Sequence, residues 1–195
     1  VKANGYGHGA TAVARAALAA GADWLAVAQV DEAVVLRDAG IDAPLLLLSE
    51  PRVDEIVDAV ATGARLVLYS PEIVAAVAKT VHGARSAPVP IHLKVDTGMH
   101  RVGCRPEDLL GLARAVDELA ELRLEGICTH LPVADEPDNP YTGEQLARFD
   151  ELLAKLRAAG VDPDIVHAAN SAGLIAHPHS RYDLVRCGIA VYGIP

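Results

Sequence analysis

Seven short apolar runs of strand length alternate with longer segments of helical period, and polar residues gather where the runs end. Together these observations predict an α/β protein, a (β/α)8 TIM-type barrel that is incomplete at both ends. The runs are 24–28 (WLAVA), 45–49 (LLLLS), 65–69 (RLVLY), 91–95 (IHLKV), 124–130 (LEGICTH), 165–170 (IVHAAN) and 182–186 (YDLVR). Near-continuous apolar character suits strands buried on both faces of a parallel sheet rather than strands with one wet face. A strand ending at Lys2 brings the number to eight. Strand followed by helix, repeated, requires right-handed crossovers.

The intervening helices have recognisable ends. Residues 10–20 are closed by Gly21, 31–39 by Gly40, 52–62 by Gly63 and 71–81 by Gly83, because glycine accepts the left-handed conformation that follows a helix. Ser70-Pro71-Glu72 reads as a cap with proline at the first helical position. Further helices are expected over 106–119, over 142–159 before Gly160, and over 171–176. The chain stops just after the eighth expected strand, before an outer helix returns. Residues 1–195 are expected to be one domain, since no Pro-, Gly- or Ser-rich linker divides them.

The 195 residues are 51% hydrophobic and 22% charged, enough apolar content for a substantial core. A formal net charge of −9 with no basic run leaves no electrostatic footprint for nucleic acid or an anionic membrane. No apolar stretch approaches the roughly twenty residues that span a bilayer. Cys104, Cys128 and Cys187 form no C-x-x-C pair, so neither a disulfide framework nor a zinc knuckle is indicated, and the cytoplasm is the expected compartment.

In a barrel of this class the strand ends converge on the face where chemistry is done. Lys2 ends the first strand, Lys94 and Asp96 the fifth, His130 the sixth, Asn170 and Ser171 the seventh, and Arg186 the eighth. Only four lysines occur, and two lie at such ends. Loss of solvent there favours the neutral amine, the form that attacks carbonyls to make a Schiff base. An isolated lysine at a sheet edge more often just snorkels to water. The loops after strands seven and eight read NSAG and RCGIAVYG. Ser171 offers a hydroxyl and Gly188 lets backbone N–H groups approach an anion, the usual place for a phosphate in such barrels. An imine-forming lysine and a phosphate site together indicate pyridoxal phosphate. Rival motifs are weaker: Gly5-Tyr6-Gly7-His8-Gly9 lacks the G-x-G-x-x-G spacing. His177-Pro178-His179 lacks a third metal ligand and reads as surface, and no metal is expected. Cys128 and Cys187 have no evident base and read as small buried side chains.

Five motifs in register, VKANGYGHG, HLKVDTGMHRVG, THLPVADEP, ANSAG and VRCGIAVYG, make the chain resemble the bacterial alanine racemases, fold-type III pyridoxal-phosphate enzymes, over essentially its whole length. Gly5 and His100 depart from the residues common in that family, at positions without a catalytic group. The resemblance implies that Lys2 carries pyridoxal 5'-phosphate as an imine and is one proton-transferring base, and that Tyr6 donates its phenol to the phosphate. Lys94 matches a lysine carried as a carbamate that orients Arg101, which in turn meets the cofactor's phenolic oxygen and the substrate carboxylate. His130 matches the histidine packed on the pyridine ring. Asn170, Ser171, Gly188 and Ile189 match the phosphate side, and Arg186 faces the pyridine nitrogen. An arginine there leaves that nitrogen unprotonated, a weaker electron sink that disfavours transamination.

The implied activity is interconversion of L- and D-alanine, supplying D-alanine for peptidoglycan, in a homodimer. The second base is a tyrosine of a C-terminal β domain of the partner subunit, outside these residues, so residues 1–195 alone are expected to be inactive. A serine or broad-specificity racemase, or a non-catalytic pyridoxal-phosphate-binding barrel, are the alternatives. The Lys94-to-Arg101 motif speaks against the last, since an oriented arginine serves a substrate carboxylate.

Overall fold

In the computed structural model, which describes residues 1–84 and 87–194, the chain divides into two compact units: residues 1–91 with 119–123, and residues 92–118 with 124–195. In the first unit, strands β1 (Leu25–Val27), β2 (Leu45–Leu47) and β3 (Arg65–Leu68) pair in chain order, all parallel, with Leu25 opposite Leu45 and Leu46 opposite Arg65. Helices α1 (Ala10–Ala19), α2 (Val30–Asp38), α3 (Ile56–Ala61) and α4 (Pro71–Ala84) precede or link the strands. The reason is legible residue by residue. Leu45, Leu46 and Leu47 are each 1% exposed, so β2 is covered on both faces, as parallel strands between helices must be. Val74, Val77, Ala78 and Val81 fall on one stripe of α4 and are all buried.

Strand β4 (Val89–Lys94) crosses from the first unit into the second. The second unit continues with α5 (Leu109–Asp117), β5 (Leu122–Cys128), α6 (Tyr141–Ala158), β6 (Ile165–His167) and α7 (Ser171–Ala176). β5 and β6 are parallel, with Cys128 opposite His167. The end of β4 lies beside β5, since the Val95 N–H donates to the Cys128 carbonyl at 2.9 Å. In both units each strand pairs with its neighbour in sequence. That is the order of a barrel wall and not of a doubly wound sheet, whose order jumps at a switch point.

Among the described residues six strands form, not eight. Val1 and Lys2 are not a strand: the Val1 nitrogen donates to the Ala26 carbonyl at 2.7 Å, but beyond it the backbone leaves extended geometry at once. The expected strand 182–186 is irregular. The Asp183 and Arg186 N–H groups reach the Val166 and Ala169 carbonyls, yet Tyr182 has φ +42°, which breaks a pleated ladder before it starts. Expected helix 52–62 divides into a 3-10 turn, Val53–Glu55, and α3. Helix α4 runs through Gly83 to Ala84. Ser70 does supply the first helical carbonyl, to Val74, while its hydroxyl donates to Glu50 at 2.6 Å.

Candidate active site at the strand ends

The segment after Val1 winds the wrong way for L-residues. Ala3, Asn4, Gly5, Tyr6 and Gly7 have φ of 53°, 52°, 63°, 53° and 86°, a left-handed turn closed by Gly5 N–H to Val1 and Gly7 N–H to Ala3. Each non-glycine residue held there costs about 1–2 kcal/mol, so the surroundings must hold it. Glu32 does much of this. One carboxylate oxygen accepts the Ala3 N–H and the other accepts the Ala28 and Gln29 N–H groups at 2.8 and 3.1 Å, binding the turn to the end of β1 and to the start of α2. The Asn4 side chain accepts the Ala10 N–H at 2.9 Å and ties the other end to α1. The turn sets the Lys2 ammonium 5.8 Å from the Tyr6 ring centroid, with Tyr6 40% exposed. Lys2 and Tyr6 thus face the same locality of the first unit.

The remaining expected site residues lie in the second unit. Lys94 ends β4 and is buried. Burial lowers its pKa, and the nearby cations Arg186 and Arg101 push it the same way, against the opposing effects of Cys128 and Asp96. Asp96 follows. Its Oδ1 accepts the N–H groups of Gly98, Met99 and His100 at 2.9, 2.8 and 3.1 Å. Although burial alone raises a carboxyl, these donors outweigh it and hold Asp96 below the usual carboxylate range. The chain then returns along itself, Cys104 N–H to the Lys94 carbonyl and Asp96 N–H to the Cys104 carbonyl, so residues 96–103 form a closed loop carrying Arg101 at its exposed rim. Helix α6 clamps this loop: the Tyr141 hydroxyl donates to the Gly98 carbonyl at 2.7 Å and Arg148 to the Thr97 carbonyl at 3.1 Å.

Arg186 is held by four partners. Its Nη2 donates to the Thr129 and Ala168 carbonyls at 2.7 and 2.8 Å and lies 3.4 Å from His130 Nδ1, while Nη1 meets His167 Nδ1. Burial lowers its pKa, but a guanidinium stays charged. His130 and Arg186 are therefore brought together at the ends of β5 and β6.

Ser171 is buried, and its Oγ accepts the N–H groups of Gly188 and Ala190 at 2.9 and 3.1 Å. Residues 171, 188 and 189 are thereby gathered, with Ile189 opening a 3-10 turn, Ile189–Tyr192. Asn170 caps α7: its Oδ1 accepts the Gly173 N–H at 2.9 Å and its Nδ2 donates to the Leu131 carbonyl at 2.9 Å. Its side chain therefore builds the loop that presents Ser171. Burial pushes the thiols of Cys128 and Cys187 up, and Cys128 is fully enclosed, whereas Cys187 is only half-buried, not a buried side chain as expected. His177, expected at the surface, is half-buried and contacts the Ala134 carbonyl through Nε2 at 3.2 Å.

Sequence reasoning passed over Glu32, Tyr141, Arg148, His92, His167 and Glu125. Glu32 carried a signal, since it stands three residues after Gln29 at a helix start, the spacing of a capping box. The two histidines stand inside runs read as buried strands, and a polar residue at such a position needs a partner.

A family model described as alanine racemase, N-terminal domain, matches residues 1–195. The alanine racemase of Symbiobacterium thermophilum is 50% identical over 196 residues, covering 100% of this chain and 52% of its own length; that of Thermobifida fusca is 45% identical over 197 residues with the same coverage. Among solved structures, alanine racemase of Clostridium difficile 630 in complex with cycloserine superposes with a TM-score of 0.96 at 33% identity, covering 100% of this chain and 54% of that one. The Bacillus anthracis alanine racemase with bound L-Ala-P gives 0.92 at 40% identity, with coverages of 100% and 50%. The chain spans about half the length of the curated relatives it matches. Among the described residues, no helix is long and apolar enough to cross a membrane. With sequence, fold and order of elements in agreement over its full length, the chain belongs to the alanine racemase family.

Proposed function

We propose that residues 1–195 are the cofactor-binding barrel domain of a cytoplasmic, homodimeric, pyridoxal-phosphate-dependent enzyme that interconverts L-alanine and D-alanine. The observation that carries this reading is the fixed Arg186 guanidinium beside His130, with Ser171 and the Gly188 loop in the same unit. The donor set fits the cofactor. Ser171 Oγ accepts two N–H groups and keeps its own hydrogen to donate, as a phosphate oxygen requires. Arg186 is donor-only and suits an unprotonated ring nitrogen. When bound, pyridoxal phosphate supplies an electron-withdrawing ring that acidifies the Cα–H of an amino acid joined to it.

The side chains divide the remaining work. The Lys2 amine holds the cofactor and moves a proton at one face of Cα, while the Tyr6 phenol donates to the phosphate. Arg101 on its clamped loop receives the substrate carboxylate. Lys94, whose neutral amine is favoured by burial and by two adjacent cations, adds CO2 through its nitrogen and releases one proton, giving a carbamate anion that neutralises those cations and aims Arg101. His130 stacks on the ring. The base for the opposite face is a tyrosine of the partner subunit's C-terminal domain. Arg186 has no readily lost proton, so the ring nitrogen stays neutral and return of the proton to Cα is favoured over transamination.

The test uses the full-length protein. Borohydride reduction in the presence of pyridoxal phosphate is expected to leave a pyridoxyl group on the peptide containing Lys2, and Lys2→Ala to abolish it. L-alanine turned over in deuterated water is expected to gain deuterium at Cα. Labelling elsewhere overturns the role of Lys2; labelling at Lys2 without deuterium incorporation favours a binding protein without turnover.

A further inference from the structure

Four polar side chains of the second unit form an unbroken line inside the fold. Glu125 Oε2 lies 3.1 Å from His92 Nε2, His92 Nδ1 lies 2.7 Å from His167 Nε2, and His167 Nδ1 meets Arg186 Nη1. Both imidazoles are fully enclosed and Glu125 is buried with them. The two rings meet edge-on, with centroids 4.9 Å apart and planes at 68°. The neighbouring strand is shaped around this line: a Cβ at Gly126 would stand 2.5 Å from His92 Nδ1 and 2.9 Å from its Cγ, so glycine alone leaves the ring its place.

The protons along the line follow from one fact. A guanidinium only donates. His167 Nδ1, facing Arg186, must therefore be bare, and a neutral His167 carries its proton on Nε2. That proton points at His92 Nδ1, which must be bare in turn, so His92 carries its proton on Nε2 and donates it to Glu125. Glu125 as a carboxylate accepts. Protonating either ring would set two N–H groups against each other, at Arg186 or between the rings. Burial, together with the charge of Arg186, holds His167 well below the ordinary histidine pKa, in the same direction.

We infer that Glu125, His92 and His167 form a one-directional hydrogen-bond wire that fixes Arg186 as a charged, immobile donor at the ring-nitrogen side of the proposed pyridoxal phosphate site. The inference rests on the reading of Arg186 given above. Glu125 is the remote counter-charge, and the neutral rings transmit its effect as aligned dipoles without moving a proton. All three are positioning residues: their chemistry reaches the substrate only through Arg186. Their consequence is on the fate of the reaction, since an arginine free to turn away would open the ring nitrogen to water and protonation.

The test is nitrogen-15 NMR of the histidine side chains in the full-length protein, with and without pyridoxal phosphate, beside product analysis. His92 and His167 are each expected to carry one proton, on Nε2, across the range in which an ordinary histidine titrates, about pH 5–8. In Glu125→Gln the amide oxygen still accepts from His92 Nε2, so the tautomers, dictated from the Arg186 end, are expected to stay, while loss of the counter-charge is expected to raise the ratio of transamination to racemisation several-fold. A proton on Nδ1 of either wild-type ring, or two protons on one ring, overturns the wire. So does a Glu125→Gln protein whose product ratio matches wild type. If the tautomers behave as expected but Arg186→Glu leaves the product ratio unchanged, it is the ring-nitrogen reading of Arg186 that fails, and the wire's role in the reaction falls with it.

Discussion

The Tyr141 hydroxyl donates to the carbonyl of Gly98 across 43 residues of sequence, at 2.7 Å, and in doing so occupies the space where a side chain at position 98 would begin. Gly98 also has φ +143°, a conformation closed to other residues. Gly98→Ala is expected to destabilise the chain by about 2–4 kcal/mol, combining backbone strain with a clash. Thermal unfolding checks it. In the double variant with Tyr141→Ala the clash component is relieved, so the two costs are expected to sum to more than the double variant loses.

Asp96→Asn tests the loop that carries Arg101. The Asp96 carboxyl is held below its ordinary pKa by three N–H donors, so its contribution is present above the unfolded value of about 3.9 and is lost as pH falls through the lower folded value. The stability gap between wild type and Asp96→Asn is therefore expected to be about 1–3 kcal/mol at neutral pH and to shrink below about pH 4. Urea unfolding at a series of pH values measures it. A gap that stays constant into acid would mean the charge contributes nothing.

Lys94 shifts stability with pH in the same direction, but at neutral pH it is a cost where Asp96 is a gain. The folded pKa of Lys94 is lowered, so between that value and the unfolded value of about 10.4 the unfolded chain binds more protons, and stability rises with pH across that window. Lys94→Met is expected to be the more stable protein at neutral pH without CO2, with the advantage shrinking as pH rises. Bicarbonate is expected to raise the thermal midpoint of wild type only, because a carbamate at Lys94 gives Arg101 and Arg186 a counter-ion. Carbon-13 bicarbonate is expected to give a carbamate resonance that the variant lacks.

Ser171→Ala removes the oxygen shared by the Gly188 and Ala190 N–H groups. Two donors near the end of the chain lose their acceptor, at a cost of about 1–3 kcal/mol. Their amide hydrogens are expected to exchange faster, and affinity for pyridoxal phosphate in the full-length protein to fall about tenfold, one charge-assisted hydrogen bond's worth. Hydrogen exchange and cofactor titration give the two readings separately.

The fold was legible where periodicity is strong. The Leu-rich run 45–49 and the stripe Val74, Val77, Ala78, Val81 announce a buried strand and a one-sided helix through composition alone. Both ends of the chain were not. The eighth strand failed on a single dihedral, at Tyr182, and Lys2 leads into a left-handed turn that no propensity favours and that Glu32 holds from 29 residues away. The site shows the same division. Residue types that carry chemistry, such as Lys94, Ser171 and Arg186, were visible as polar residues at strand ends. The groups that aim them were not, because Tyr141 on the Gly98 loop and His92 on His167 are contacts over 43 and 75 residues of sequence.

The left-handed turn has a metric consequence. Four residues of extended strand would carry Tyr6 about 13 Å beyond Lys2, too far for both to grip one small molecule. Wound into a single turn, the same four residues place the amine 5.8 Å from the phenol ring. The winding of the backbone, and not side-chain reach, thus sets the spacing of the two anchors. A bulky or β-branched substituent at Ala3 or Asn4, neither of which touches a ligand in this reading, would lengthen that spacing and loosen both ends of the grip at once.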